Sequence, residues 1–461
     1  MRILAHGIAT REALPIPFWL AQWGAALVLL ASFALLGVAW RSARFESAAG
    51  RPAPGWVRAL ADSPVTFAVL RALGLLAAVV TLVAAIAGPA TAVTNPAPTW
   101  VYVWLWVGIV PLSLLLGPVW RWLNPLRTIA AGLARLSGDP DERAARPYPP
   151  RLGYWPAAIG LAAFAWLELI YERRAEPQAV LIFLCLYGLA QLGGAMRFGS
   201  AWFARADGFE VWSELLGRMA PLGRLEPGGP VVWRGPLAGL AGMRPEPGLV
   251  AVLCILLGAT AFDGVSSSAW WGDFAAGRGE LGAMALGTAG LVIVTGLIAG
   301  SYLLAARASA ALAGRPAAQP VGAGAPVPPG QDGPRAPAAT EVAGWFAHSL
   351  VPIAAGYTIA HYFSLLVWQG QAGYILASDP LGRGWDLFGT ISWQIQLDAI
   401  SPATIAVVQV AAIVLGHLFG VVAAHDRAVA VFGPERARRS QYPLIAVMVG
   451  FTLAGIALLL R

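Results

Sequence analysis

Residues 346 to 371 read FAHSLVPIAAGYTIAHYFSLLVWQGQ, an apolar run long enough to cross a bilayer as a helix, yet it carries two histidines, His348 and His361. A hydrocarbon core about 30 Å thick takes roughly 20 mainly apolar residues in helical form. Runs of that kind recur along the whole chain, at 18–40, 66–88, 100–120, 153–171, 178–198, 248–266, 285–306, 345–368, 402–424 and 443–460. Composition agrees: of 461 residues 58% are hydrophobic and 12% charged, with mean hydropathy +0.65, far from the usage of soluble domains. Lipid offers no partner to an open backbone, so helices are the expected spanning element, and the alternating pattern of a membrane barrel is absent from the sequence. The expected fold class is all-α, a polytopic transmembrane helix bundle of about ten spans.

Orientation follows from arginine, because the chain contains no lysine and all 31 basic residues of that class are Arg. The connections 41–65, 121–152, 197–247, 307–344 and 425–442 hold 23 of them, against seven on the opposite side and Arg71 within a span. The positive-inside rule then puts both termini outside and the large loops in the cytoplasm, in a multi-pass protein of the plasma membrane. The formal charge of +7 belongs to those membrane-proximal loops, and the basic residues are too dispersed to form a nucleic-acid footprint. The opening MRILAHGIATREALPIPF lacks the apolar core of a signal peptide.

Two of the Arg-bearing connections are distinctive. Residues 308–344, rich in Ala, Gly and Pro, read as a flexible linker between a seven-span part, 1–307, and a three-span part, 345–461. In DGFEVWSELLGRMAPLGRL, residues 207–225, Phe209, Trp212, Leu215 and Leu216 recur at helical spacing beside Arg218 and Arg224. That pattern suits a helix lying in the inner membrane interface, with partner binding as the alternative.

Conventional motifs are informative by subtraction. Without lysine there is no Walker-type phosphate loop, so ATP binding within the chain is not expected, and neither a GxSxG elbow nor an HExxH pair occurs. The two cysteines, Cys185 and Cys254, both fall in expected spans and offer no CxxC site. What remains at membrane depth is Glu168, Asp263, His361 and His417, with His348, His425 and Asp426 near the inner ends.

An ionisable residue within a span is costly and faces the bundle interior or a partner. From the helical rise, His361 lies about 20 Å above His348, and His417 about 12 Å above His425, which together make a histidine ladder. His361 has Tyr357 and Ser364 one turn either side, so it reads either as a hydrogen-bonded core residue or as a ligand. His417 sits in GHLFG, whose Gly416 and Gly420 admit close approach of another helix. Asp263 is the best-placed acid among an outer group that also holds Glu168, Asp379, Asp386 and Asp398. His361, His417, Asp263, His348 and His425 are thus the candidate ligands for a divalent transition metal, whose bound water would be a nucleophile. Haem is the weaker alternative, because histidine spacings of thirteen and eight do not supply two matching haem layers.

The segments REALPIPFWLAQW, RWLNPLRTI, PRLGYWPAAIGLAAFAWLELIY, DGFEVWSELLGRMAPLGR, PGLVAVLCILLGATAFDG, FAHSLVPIAAGYTIAHYFSLLVWQGQ, SDPLGRGWDLFGT, GHLFGVVAAHDRA and RSQYPLIAVMV, taken in order, resemble multi-pass membrane proteins of the fenitrothion hydrolase-like family. In that family the first of these motifs follows a longer apolar leader, here shortened to MRIL. The resemblance implies hydrolysis of an aryl phosphorothioate ester of an organophosphate and supplies no catalytic motif residue by residue. Three classes of function stand side by side: a metal-dependent hydrolase, a transporter of protons or a transition metal along the histidine ladder, and a subunit or assembly factor of a larger membrane complex, such as a respiratory one.

Overall fold

The computed structural model describes residues 16–45, 50–138, 146–225, 228–314 and 339–459. The helices that place the site are, in chain order, α1 (Phe18–Ala39), α2 (Pro64–Ala87), α3 (Pro96–Leu116), α4 (Trp155–Leu169), α5 (Pro177–Phe198), α6 (Gly208–Gly217), α7 (Leu249–Ser266), α8 (Glu280–Ala313), α9 (Leu350–Ala377), α10 (Pro402–Phe432) and α11 (Tyr442–Leu459). All of these except α4 and α6 belong to the nine helices among the described residues that are long and apolar enough to cross a membrane. The chain is a multi-pass, all-α membrane protein. Of the ten expected spans, 153–171 is the short one: α4 has 15 residues, about 22 Å of rise against a core of about 30 Å. Residues 1–15, with the apolar-leader question attached to them, lie outside the described residues.

A repeated dipeptide starts several helices. In Ser63-Pro64, Asn95-Pro96, Asn124-Pro125 and Ser401-Pro402, the first side chain accepts a hydrogen bond from a free amide of the first turn, while proline supplies a fixed φ where no N–H is missed. Helix α3 departs from regular α geometry over Trp100–Val107, which is π-helical. There Trp100 and Trp104 donate from Nε1 to the carbonyls of Gly373 and Gly370, at 2.9 and 3.0 Å, so the widened stretch grips the upper part of α9.

All spans are apolar, so composition alone does not rank them from lipid to core; burial does. In α7 67% of the apolar window is buried, and over Thr340–Ala377 72%, against 11% in α8. Large apolar side chains on α1, α2, α5 and α8, such as Trp23, Ile86, Leu189 and Leu297, point away from the protein, as lipid contact requires. Helices α7 and α9 are therefore the axis of the bundle. The expected division into seven- and three-span parts leaves no gap between them, because α9, α10 and α11 pack directly against α1, α7 and α8. Residues 308–313 continue α8 and 339–344 are already helical, while 315–338 of the expected linker lie outside the described residues.

Close packing of α9 on α10 is fixed by glycine. A Cβ on Gly356 would stand 2.3 Å from the carbonyl oxygen of Ala412, and one on Gly416 would stand 2.7 Å from that of Pro352. One on Gly420 would lie 2.8 Å from the carbonyl oxygen of Ser349. Continuing this antiparallel register sets the level of His361 opposite residues 407 to 411. His417 then lies roughly 9–15 Å lower along the axis.

The Arg-bearing connections gather at one end. Strands β1 (Arg51–Pro52), β2 (Leu222–Arg224) and β3 (Val231–Trp233) form a small antiparallel sheet in the order β1-β3-β2, tying the first connection to the third. Arg224 pairs with Asp62, the Arg146 amide donates to the Arg197 carbonyl, and the Tyr302 hydroxyl donates to the Ala343 carbonyl. Arg427 donates to the Ala241 carbonyl, and Asp426 accepts from Trp40 Nε1 and the Arg44 amide at 2.9 and 2.7 Å.

Helix α6 differs from its expected place on the membrane surface. Phe209, Trp212, Leu215 and Leu216 are all buried within the protein, against α3, α4 and the turn Val119–Leu123. The ring of Phe209 lies 5.1 Å from that of Phe164, and Phe164 lies 4.9 Å from Trp106. The face opposite the apolar one is buried too, and it is held by a polar network. Asp207 caps the helix by accepting from the Phe209 and Glu210 amides, and also accepts from Tyr187 Oη and Asn124 Nδ2, each at 2.8 Å. Arg127 holds Glu210 with both arms of its guanidinium, at 2.7 and 2.6 Å. An amphipathic pattern reads the same against lipid as against other helices, and only these buried partners tell the two apart.

Burial, with Glu210 close by, pushes the Asp207 carboxyl up from its ordinary value near 4 to about 6. A raised acid favours the folded state in its protonated form, so its stabilising contribution is full below about pH 4 and is lost as pH rises through about 6. Thermal midpoints in detergent should fall over this interval for the parent chain, and an equal fall in Asp207→Asn would reject Asp207 as the cause.

Candidate functional site

Asp263 sits near the end of α7 and His361 in the middle of α9, and the packing of these two axial helices brings them together. His361 Nε2 lies 2.8 Å from Asp263 Oδ2. Tyr362 donates its hydroxyl to the same oxygen at 3.3 Å. All three residues are buried, with Asp263 6% and His361 and Tyr362 each 3% exposed. Local sequence explains how a carboxylate comes to be there. Thr260 turns its hydroxyl back onto the Leu256 carbonyl, and Ser266 and Ser267 do the same onto the carbonyl of Asp263, so the polar groups at this end of α7 are satisfied within the helix. Gly258, whose Cβ would meet Thr295 at 2.3 Å, lets α7 settle against α8.

Glu168 on α4 approaches the same region, close enough to act electrostatically on Tyr362 and on Tyr102, whose hydroxyl donates to the Arg174 carbonyl at 2.9 Å. Of the other expected outer acids, Asp379 and Asp386 have local tasks. Asp379 accepts from the Arg383 and Gly384 amides at 2.8 and 2.7 Å, and Asp386 from the Ile391 amide at 3.1 Å, so both shape the connection between α9 and α10.

The remaining histidines are each held separately. His348 faces the carbonyls of Trp345 and Ala423 with its two ring nitrogens, at 3.0 and 3.2 Å. His425 lies between the Trp40 carbonyl, at 3.3 Å, and Gln441 Nε2, at 3.0 Å. His417 Nδ1 is 2.9 Å from the carbonyl of Ile413.

A divalent metal site needs three or more converging donors. Among the described residues no group of three His, Cys, Asp or Glu side chains converges. Both ring nitrogens of His348 are packed against backbone carbonyls, His425 uses both of its nitrogens in hydrogen bonds, and His417 stands well below the level of His361. The five candidate ligands thus do not fit one metal centre, and the offset between His361 and His417 does not fit a haem held between α9 and α10. Cys185 and Cys254 are both free.

What the arrangement can do is hold a proton. A carboxylate and an imidazole at 2.8 Å share one proton between them, and in a medium of low dielectric the pair is far easier to keep than either charge alone. The pairing itself was hidden in the sequence, where 98 residues separate the partners. Tyr362 was missed as well, since a tyrosine in an aromatic-rich span carries no distinguishing signal. No family model, curated protein or solved structure matches the chain.

Proposed function

We propose that the protein moves protons, or a solute coupled to protons, across the membrane, with Asp263 and His361 as the groups that take up and release the proton. The observation that carries this reading is the 2.8 Å contact between an aspartate and a histidine on the two most buried spans. Ionisable groups are retained at such depth in proton relays and pumps, where a partner on a neighbouring helix offsets the cost of burial. The excess of arginine at one end supports placing that end in the cytoplasm.

Reconstituted into liposomes with an internal pH dye, the parent chain should dissipate an imposed pH gradient. Asp263→Asn and His361→Gln should each lower that flux at least tenfold while eluting as folded protein. Parent-like flux in both variants would reject the assignment.

A second reading rests on the resemblance to fenitrothion hydrolase-like proteins and on the same pair. An aspartate that orients an imidazole is also the arrangement of a general base, which takes a proton from water as its oxygen attacks phosphorus and the aryl oxide departs. Release of the phenol from an aryl phosphorothioate triester by purified protein, lost in His361→Gln, is the result that would favour it over transport.

A further inference from the structure

Every fourth residue of α10 from Ile405 to His425 is buried: Ile405, Gln409, Ile413, His417, Val421 and His425. Such residues form one ridge on a helix, and here a polar side chain recurs at every second position along it. Gln409, His417 and His425 therefore follow one another at about 12 Å intervals. The register of α9 on α10 sets Gln409 at the level of His361, so the ridge begins beside the proton-holding pair and runs toward the Arg-rich end.

Two of these three side chains lack partners where they need them. His417 Nδ1 faces the Ile413 carbonyl, which only accepts, so the N–H is on Nδ1 and Nε2 presents its lone pair. Among the described residues, His417 Nε2 and Gln409 Oε1 are buried atoms with no hydrogen-bond partner. Both are acceptors, and each left dry forfeits the hydration it had before burial. Ordered water is the usual partner of buried acceptors that the protein itself does not satisfy. His425, by contrast, has both nitrogens engaged and closes the ridge beside Asp426.

We propose that a file of water molecules lies along this ridge, donating to Gln409 Oε1 and His417 Nε2, and that it carries protons between the Asp263–His361 pair and the Arg-rich end. The proposal rests on the transport reading for its purpose, and on the two unpartnered acceptors for its existence. Spacing of about 2.8 Å between waters makes three or four of them enough to bridge each interval. In such a file each water that receives a proton on one side releases another on the far side, so no charge is left behind. His417 takes and returns its proton through Nε2 alone, because Nδ1 is tied to the helix.

Hydration and flux are tested separately. Millisecond radiolytic labelling of the reconstituted parent chain, read by mass spectrometry, should modify His417 and Ile413 despite their burial. Gln409→Leu and His417→Leu should each lower the labelling of Ile413 at least fivefold and the proton flux at least tenfold, with His417→Phe as the substitute should the leucine variant not fold. Unlabelled His417 and Ile413 in the parent chain would overturn the water file, whatever the flux. Flux that is lost in Asp263→Asn but stays within twofold of the parent in both ridge variants would overturn the file as the route and leave the pair in place. A labelled ridge in a chain without proton flux would uphold the water and reject the transport reading.

Discussion

Asp263→Ala should lower stability by about 3–5 kcal/mol, the range for breaking a buried pair by removing one partner. The Asp263 carboxylate is the acceptor for both His361 Nε2 and the Tyr362 hydroxyl. Alanine leaves both of them buried without that acceptor, and water has no ready access at 3% exposure. Asp263→Asn keeps a carbonyl oxygen in place and should cost about half as much, since that oxygen has lone pairs for both donors but no charge to offer them. Buried Cys254 provides the measurement. In a Cys185→Ala background it is the single thiol, and a thiol-reactive dye reports its exposure as the chain unfolds in detergent. A loss below about 1 kcal/mol for Asp263→Ala, within the range of an ordinary exposed pair, would mean that the contact is not made in the folded protein.

A large packing effect is expected at Gly356, where α9 meets α10. A Cβ there would stand 2.3 Å from the backbone oxygen of Ala412, and a backbone oxygen in the middle of a helix cannot swing aside as a side chain can. Gly356→Ala should cost about 1–3 kcal/mol through forced separation of α9 and α10, and Gly356→Val more. Gly416→Ala, facing the Pro352 carbonyl from the opposite helix at 2.7 Å, should behave in the same way. Gly450 is the control: a Cβ there meets nothing within 4 Å, and alanine should stabilise α11 by about 0.5–1 kcal/mol through its better helix propensity. Equal midpoints for Gly356→Ala and Gly450→Ala would contradict the helix contact. Because the same contact sets the register of Gln409 against His361, Gly356→Ala should also reduce proton flux, with Asp263 and His361 unchanged.

Much of the architecture was legible without coordinates, because in lipid one variable decides it. A run of about 20 apolar residues must become a helix, since no other segment of single chain satisfies its own backbone there. Hence the expected 178–198, 248–266 and 443–460 agree with α5, α7 and α11 to within a residue or two. The segment 153–171 was harder, because its apolar run extends through residues that the fold uses as turns at both ends of α4. Helix α6 was misplaced for a different reason. Its apolar stripe specifies that one face is buried and says nothing about whether lipid or protein covers it.

The candidate site divides along the same line. That Asp263, His361 and His417 lie at membrane depth, and that such residues need partners, follows from the sequence and the cost of burying polar groups. Which of them meet depends on rotation and register between helices. Those are set by contacts such as Gly356 on Ala412 and Gly416 on Pro352, made by residues more than 50 positions apart. The ladder expected from helical rise set His417 about 8 Å below His361; the register lowers it to roughly 9–15 Å and puts Gln409 at the level of His361. The sequence by itself determined a helical membrane bundle, the positions of its spans and the short roster of ionisable groups inside it, because bilayer thickness and backbone hydrogen bonding act on each segment alone. Only the tertiary structure decided that Asp263 pairs with His361, that α6 is interior and that the histidines stand apart, because each of these is a property of how two helices lie against one another.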